Sequence, residues 1–135
     1  MNALDTAIYT KLQTNGTITA LLSGTTAIYS VQAKNAETFP YIVFNVQGGG
    51  DENLDAHRTK NFVVYIRAYA RGNKAQAGSI DSVFDAVLHL QSINVSGWAN
   101  FWLAREQDLE TAQVMANGET IFSVGALYRV RLEKT

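Results

Sequence analysis

The chain has no cysteine and one proline, Pro40, among 135 residues. The first absence removes disulfides and thiolate metal sites. Histidine is scarce: His57 and His89 stand alone, neither with a motif partner. Charge is also thin, at 17% of residues against an ordinary share of about 25%. The formal net charge of −1 argues against a strong general affinity for nucleic acid. No apolar run approaches the roughly 20 residues of a membrane span. The opening Met1-Asn2-Ala3-Leu4-Asp5 lacks the basic-then-apolar pattern of a secretory signal and leads straight into helical periodicity. A chain of this size is expected to fold as one domain over residues 1–135, burying about 68% of its unfolded surface. Apolar residues make up 47%. A small domain so rich in apolar residues and so poor in charge is expected to hide surface in a partner or in copies of itself.

What is there reads as alternating helices and strands. Leu4, Ile8 and Leu12, with Ala7 beside them, predict a first helix capped by Asn2 and stopped at Asn15-Gly16. Thr17 to Leu22 predicts one further helical turn, and Ala27 to Val31 a short strand. Pro40 opens an extended run, Tyr41 to Val46. A glycine-rich acidic segment, Gly48 to Asp55, then reads as a loop far longer than a hairpin needs. Asn61 to Arg71 alternates cleanly: Phe62, Val64, Ile66 and Ala68 on one face, Val63, Tyr65, Arg67, Tyr69 and Arg71 on the other. Asn73, with Gln76 three residues on, predicts the start of a second main helix whose stripe is Ile80, Val83, Phe84, Val87 and Leu88. Asp81, Ser82 and Asp85 fall on its wet side. Trp98 to Glu106 reads as a strand, Glu106 to Glu119 as a polar loop, and Ile121 to Leu132 as a long final strand.

This order predicts an α+β fold. Its expected form is an antiparallel sheet of about four strands, with two helices packed on one face and a long β-hairpin carrying an extended loop. The other face then presents Tyr65, Arg67, Tyr69, Arg129 and Arg131. Tyrosine and arginine together have the composition of a protein interface.

Each chemical motif the chain suggests is incomplete. Asp51, Asn53 and Asp55 match the first three ligands of a calcium loop. Ala56 then stands where glycine is needed, and Phe62 where a bidentate glutamate belongs. Gly48-Gly49-Gly50 lacks the Gly-Lys-Ser/Thr of a phosphate loop. Ser79 follows Gly78 without the second glycine of a nucleophile elbow. Lys60 to Tyr65 resembles an RNA-binding strand, but Phe62 and Tyr65 lie on opposite faces. Tyr65 and Tyr69 do share a face with Arg67 and Arg71, which leaves single-strand stacking open. Glu106, Asp108 and Glu110 read as a solvated edge. The expectation is a protein with no catalytic residues, no metal and no cofactor.

Taken in order, several pieces resemble a family of small tailed-phage proteins. They are the Asn2 to Tyr9 helix, the Ile28-Tyr29 strand, the Phe39-Pro40-Tyr41-Ile42-Val43 run, the Ala75 to Leu88 passage and the closing Tyr128-Arg129-Val130-Arg131. The family comprises the tail-completion or tail-terminator proteins, also called tail-to-head joining proteins. The resemblance implies a structural protein of the virion tail, assembled in host cytoplasm. It implies a ring-forming homo-oligomer, commonly a hexamer, that caps the tail tube and presents a surface to a head-completion or connector protein. Membrane and specific nucleic-acid binding are not implied. Asp51, Glu52 and Asp55 are expected to join Tyr65, Arg67, Tyr69, Arg71, Arg129 and Arg131 in subunit or partner contacts. The alternatives are another neck or head-completion protein, or a small ligand- or nucleic-acid-binding domain.

Overall fold

Helix α1, Asn2–Gln13, buries Leu4, Ala7, Ile8 and Leu12, the four residues that recur at helical spacing. The computed structural model describes residues 2–31, 38–52 and 58–135. Asn2 is the first residue of the helix, not a cap ahead of it. Asn15 does more than end this stretch. Its side-chain oxygen accepts the backbone N–H groups of Thr17 and Ile18, both at 3.1 Å, and so caps a second helix, α2, Gly16–Leu21. Asn73 caps α3, Lys74–Leu88, by accepting the Gln76 N–H at 3.2 Å. Ala77, Ile80, Phe84 and Leu88 of α3 are buried.

The strands are β1 (Ile28–Ser30), β2 (Tyr41–Glu52), β3 (Thr59–Arg71), β4 (Trp98–Val114) and β5 (Thr120–Lys134). They form one sheet in the order β1-β2-β3-β5-β4. β1 runs parallel to β2, and every other pairing is antiparallel. Among the described residues, the expected four antiparallel strands with two helices are therefore a five-stranded mixed sheet with three helices. The difference lies in the short pieces: the turn expected at Thr17 to Leu22 is a helix of its own, and the strand expected at Ala27 to Val31 joins the sheet parallel to β2. Three residues of β1 give no periodicity that fixes direction, and six residues of α2 carry one buried side chain, Ile18.

Two segments expected as loops are strand. Gly48 to Glu52 continues β2 past a bulge, where the register with β3 shifts between Val46 and Gly48. Gly49 has φ +125°, and a Cβ there would overlap the carbonyl oxygen of Asn61, so this position needs glycine. The chain is held to its partner strand rather than left free to exit at variable angles. Likewise β4 runs on through Glu106 to Val114, and only a tight turn remains. That turn closes where Met115 N–H donates to Glu119 O at 2.7 Å, with Gly118 at φ +86°. A strand exposed on both sides shows no apolar alternation, so its pairing is invisible to periodicity.

The core lies between the helices and one sheet face. Phe62, Val64, Ile66 and Ala68 of β3 are buried there, as are Val124, Ala126, Tyr128, Val130 and Leu132 of β5. The expected faces of β3 are the observed ones. The opposite face carries no covering layer among the described residues, and that is where the site lies.

Candidate interaction site on the open sheet face

The outer face gathers the residues that β2, β3 and β5 do not send into the core. Register places Tyr41 beside Tyr69, Val43 beside Arg67 and Asn45 beside Tyr65 across β2 and β3. Across β3 and β5 it places Tyr65 beside Leu127, Arg67 beside Gly125 and Val63 beside Arg129. Tyr41 and Tyr69 stack with ring centroids 5.2 Å apart, and Tyr29 and Phe39 pack against Tyr41. This aromatic group forms one end of the face.

Most of the charge on the face is satisfied within the chain. Arg131 reaches both carboxylate oxygens of Glu52, at 3.1 and 3.0 Å. Arg129 reaches Glu106 at 3.1 Å and Asn61 Oδ1 at 3.0 Å. Arg71 pairs with Glu119 at 3.2 Å and lies 5.1 Å from the centroid of the Phe39 ring. On the other face of the sheet, opposite Lys60, Asp51 takes two hydrogen bonds from Arg58, each 3.0 Å, with Lys60 at 3.4 Å. The Arg58 hydrogen bond holds the Asp51 carboxyl below the usual carboxylate range. Asp55 and His57 lie outside the described residues. Two of the three acids expected at a free tip are thus bound to the body of the sheet.

Arg67 is the exception. It is the one arginine of six without a carboxylate partner among the described residues. Its Nε is fully buried and has no hydrogen-bond partner. The register explains this, since the neighbours on either side are Val43 and Gly125, and neither side chain has an acceptor. Gly125 cannot be larger, because a Cβ there would overlap the Ile66 carbonyl oxygen. The guanidinium lies 5.5 Å from the Tyr65 ring centroid. It sits in a shallow depression of about 210 Å³ lined also by Val31, Asn45, Gln47, Tyr65 and Tyr69. Val31 holds φ +69°, uncommon for a β-branched residue, and is exposed at the same place.

A second charged cluster, which the sequence reading missed, lies on the helix side. Arg105 donates to both oxygens of Asp81, at 2.9 and 3.0 Å, and to Asp108 at 2.7 Å. It also donates to the carbonyl of Gly125 at 3.3 Å and lies 3.4 Å from Asp85. Tyr128, fully buried, donates its hydroxyl to Asp85 at 2.7 Å. Burial works against the Arg105 charge, but the bonds to Asp81 and Asp108 outweigh it and hold the guanidinium protonated. Burial, then the bond to Asp85, pushes the Tyr128 hydroxyl well above the usual tyrosine range. Asp81 and Asp85 were expected on the wet side of α3, yet the Asp81 side chain is only 13% exposed. The signal was present: two like charges one helical turn apart, with no lysine or arginine within a turn of either, call for a cation from elsewhere. His89 Nδ1 accepts the Arg105 backbone N–H at 2.9 Å, which ties the end of α3 to β4. The described residues contain no group of three or more histidine or acidic side chains arranged to hold a metal ion.

The profile of the family described as Tail completion protein gp17 matches residues 6–131 of this chain. A chain in a solved structure of the virion of a native gene transfer agent particle shares the fold, with a TM-score of 0.71. Its sequence identity is 18%, and the match covers 98% of this chain and 96% of that one. No curated protein matches in sequence.

Proposed function

The chain belongs to the Tail completion protein gp17 family, and from that membership we propose that it caps the tail tube of a phage or phage-like particle as a ring of identical subunits. In this reading residues 1–135 act as one unit, the subunits close head to tail, and the finished ring offers its rim to a head-completion or connector protein. The protein works by assembly, without catalysis.

The observation that carries the reading is the uncovered sheet. One face has helices over it, while the other has tyrosine and arginine side chains and no layer among the described residues. Both edges, β1 and β4, are also without a neighbouring strand there. Edges and faces of this kind are what a neighbouring subunit covers. Phe101 and Trp102 on edge strand β4 are 49% and 45% exposed, which fits a surface that becomes buried on assembly. The contact residues in this reading are Tyr65, Arg67, Tyr69 and Arg71. Arg129 and Arg131 hold the face together through Glu106 and Glu52.

Size-exclusion chromatography with light scattering, across a range of concentrations and with added tail-tube polymer, tests the proposal. The expected result is a concentration-dependent oligomer and co-elution with the tube. A protein that stays monomeric and ignores the tube overturns it.

A further inference from the structure

We propose that the Arg67 depression receives a carboxylate from a second copy of this chain, supplied by Asp5 on its helical layer. The inference rests on the ring reading and names its contact. The Arg67 Nε is buried without a partner, and no side-chain hydrogen bond within the chain engages the Asn45, Gln47, Tyr65 or Tyr69 side chains around it. A guanidinium that lines an open depression without a carboxylate partner is a ready donor to one brought in from outside. Every other arginine of the chain has a carboxylate partner within the chain, bidentate for Arg58, Arg105 and Arg131. Arg67 has not, because β2 and β5 give it valine and glycine as neighbours. The missing acceptor comes from outside.

Charge complementarity selects the source. Among the described acidic residues, Asp5 and Glu133 have no ion-pair partner. Glu133 lies at an odd position of β5, on the same sheet face as Arg67. A contact between those two joins a face to its own copy and ends at a two-fold dimer. Asp5 lies in the first turn of α1, on the opposite layer. Its contact with Arg67 joins two different patches, and only such a contact repeats around a ring.

Light scattering on the full-length wild type and four variants decides this. Arg67→Glu is expected to weaken self-association about thirtyfold or more, as loss of one partner of a buried interfacial charge pair does. Arg67→Gln, which removes the charge without reversing it, is expected to weaken association in the same direction. Circular dichroism checks that both keep the native fold. The double variant Asp5→Arg/Arg67→Glu is expected to restore association. If Arg67→Glu and Arg67→Gln assemble as the wild type does, the Arg67 inference is overturned and the ring reading stands. Restoration by Glu133→Arg/Arg67→Glu instead of the Asp5 pair also overturns it, in favour of a two-fold contact. A wild type that stays monomeric overturns both readings.

Discussion

Arg105 and Arg67 sit on neighbouring parts of the same sheet and have opposite surroundings. Arg105 faces the helices and is held by three aspartates, a carbonyl and a tyrosine hydroxyl. Arg67 faces outward, and neither residue paired with it across the strands, Val43 or Gly125, offers a side-chain acceptor. The first charge is completed by the chain itself and belongs to the architecture. The second is left incomplete by the described residues of the chain, and it is there that the proposed subunit contact falls.

The largest test of that contrast is Arg105→Ala. It strands Asp81, 13% exposed, and Asp85 beside the core, and breaking a buried pair this way is expected to cost about 3–5 kcal/mol. Urea denaturation measures it, and a loss below about 1 kcal/mol would place the cluster among weak surface pairs. Next is Tyr128→Phe. Loss of the hydrogen bond to a charged acceptor is expected to cost about 1.5–3 kcal/mol at neutral pH. Because the folded hydroxyl titrates above its unfolded value of about 10, the wild type has its full stability below pH 10 and loses it as pH rises beyond. The phenylalanine variant is expected to lack that loss, as melts between pH 8 and 11 would read out. Gly78→Ala is smaller and of opposite sign. A Cβ at Gly78 meets nothing within 4 Å, so removing a helical glycine is expected to stabilise by up to about 1 kcal/mol. The last is Arg67→Gln, expected to cost the isolated subunit no stability, because it removes a buried nitrogen that has no partner. A clear loss in the monomer would mean that Arg67 serves the fold and would erase its contrast with Arg105.

The legible parts of the fold were those with a one-sided apolar pattern. The stripes of α1 and α3 and the alternation of β3 and β5 each put the expected side chains in the core, from Leu4 and Phe84 to Phe62 and Leu132. Asn73 was readable as a cap for the same local reason. Strand beyond that pattern was not readable. Gly48 to Glu52 and Glu106 to Val114 are held by backbone pairing with β3 and β5, and their polar side chains carry no trace of it. One practical consequence concerns Gly49 to Asp55. Its removal deletes four ladder pairs, from Gly49 to Glu52, along with the Glu52–Arg131 bridge, so it disturbs the sheet and does not merely trim an external arm. At the site, the outward residues Tyr65, Arg67 and Tyr69 were readable from alternation. Which arginine stays unsatisfied was not, because it depends on cross-strand register that joins residues far apart in the chain.

The β3–β5 seam has a consequence for the order in which the chain becomes a protein. Arg71 meets Ile121 and Thr59 meets Glu133, so the two central strands lie 50 and 74 positions apart at their ends. α3 and all of β4 are made in between. During synthesis the apolar side of β3, Phe62 to Ala70, therefore waits with one flank unpaired until β5 emerges. Seams of such long range close slowly and leave a sticky intermediate. The same geometry makes the Ser92–Gly97 connection a natural place to divide the gene. Neither fragment then holds a complete core, and co-expression is expected to recover what each half alone cannot fold.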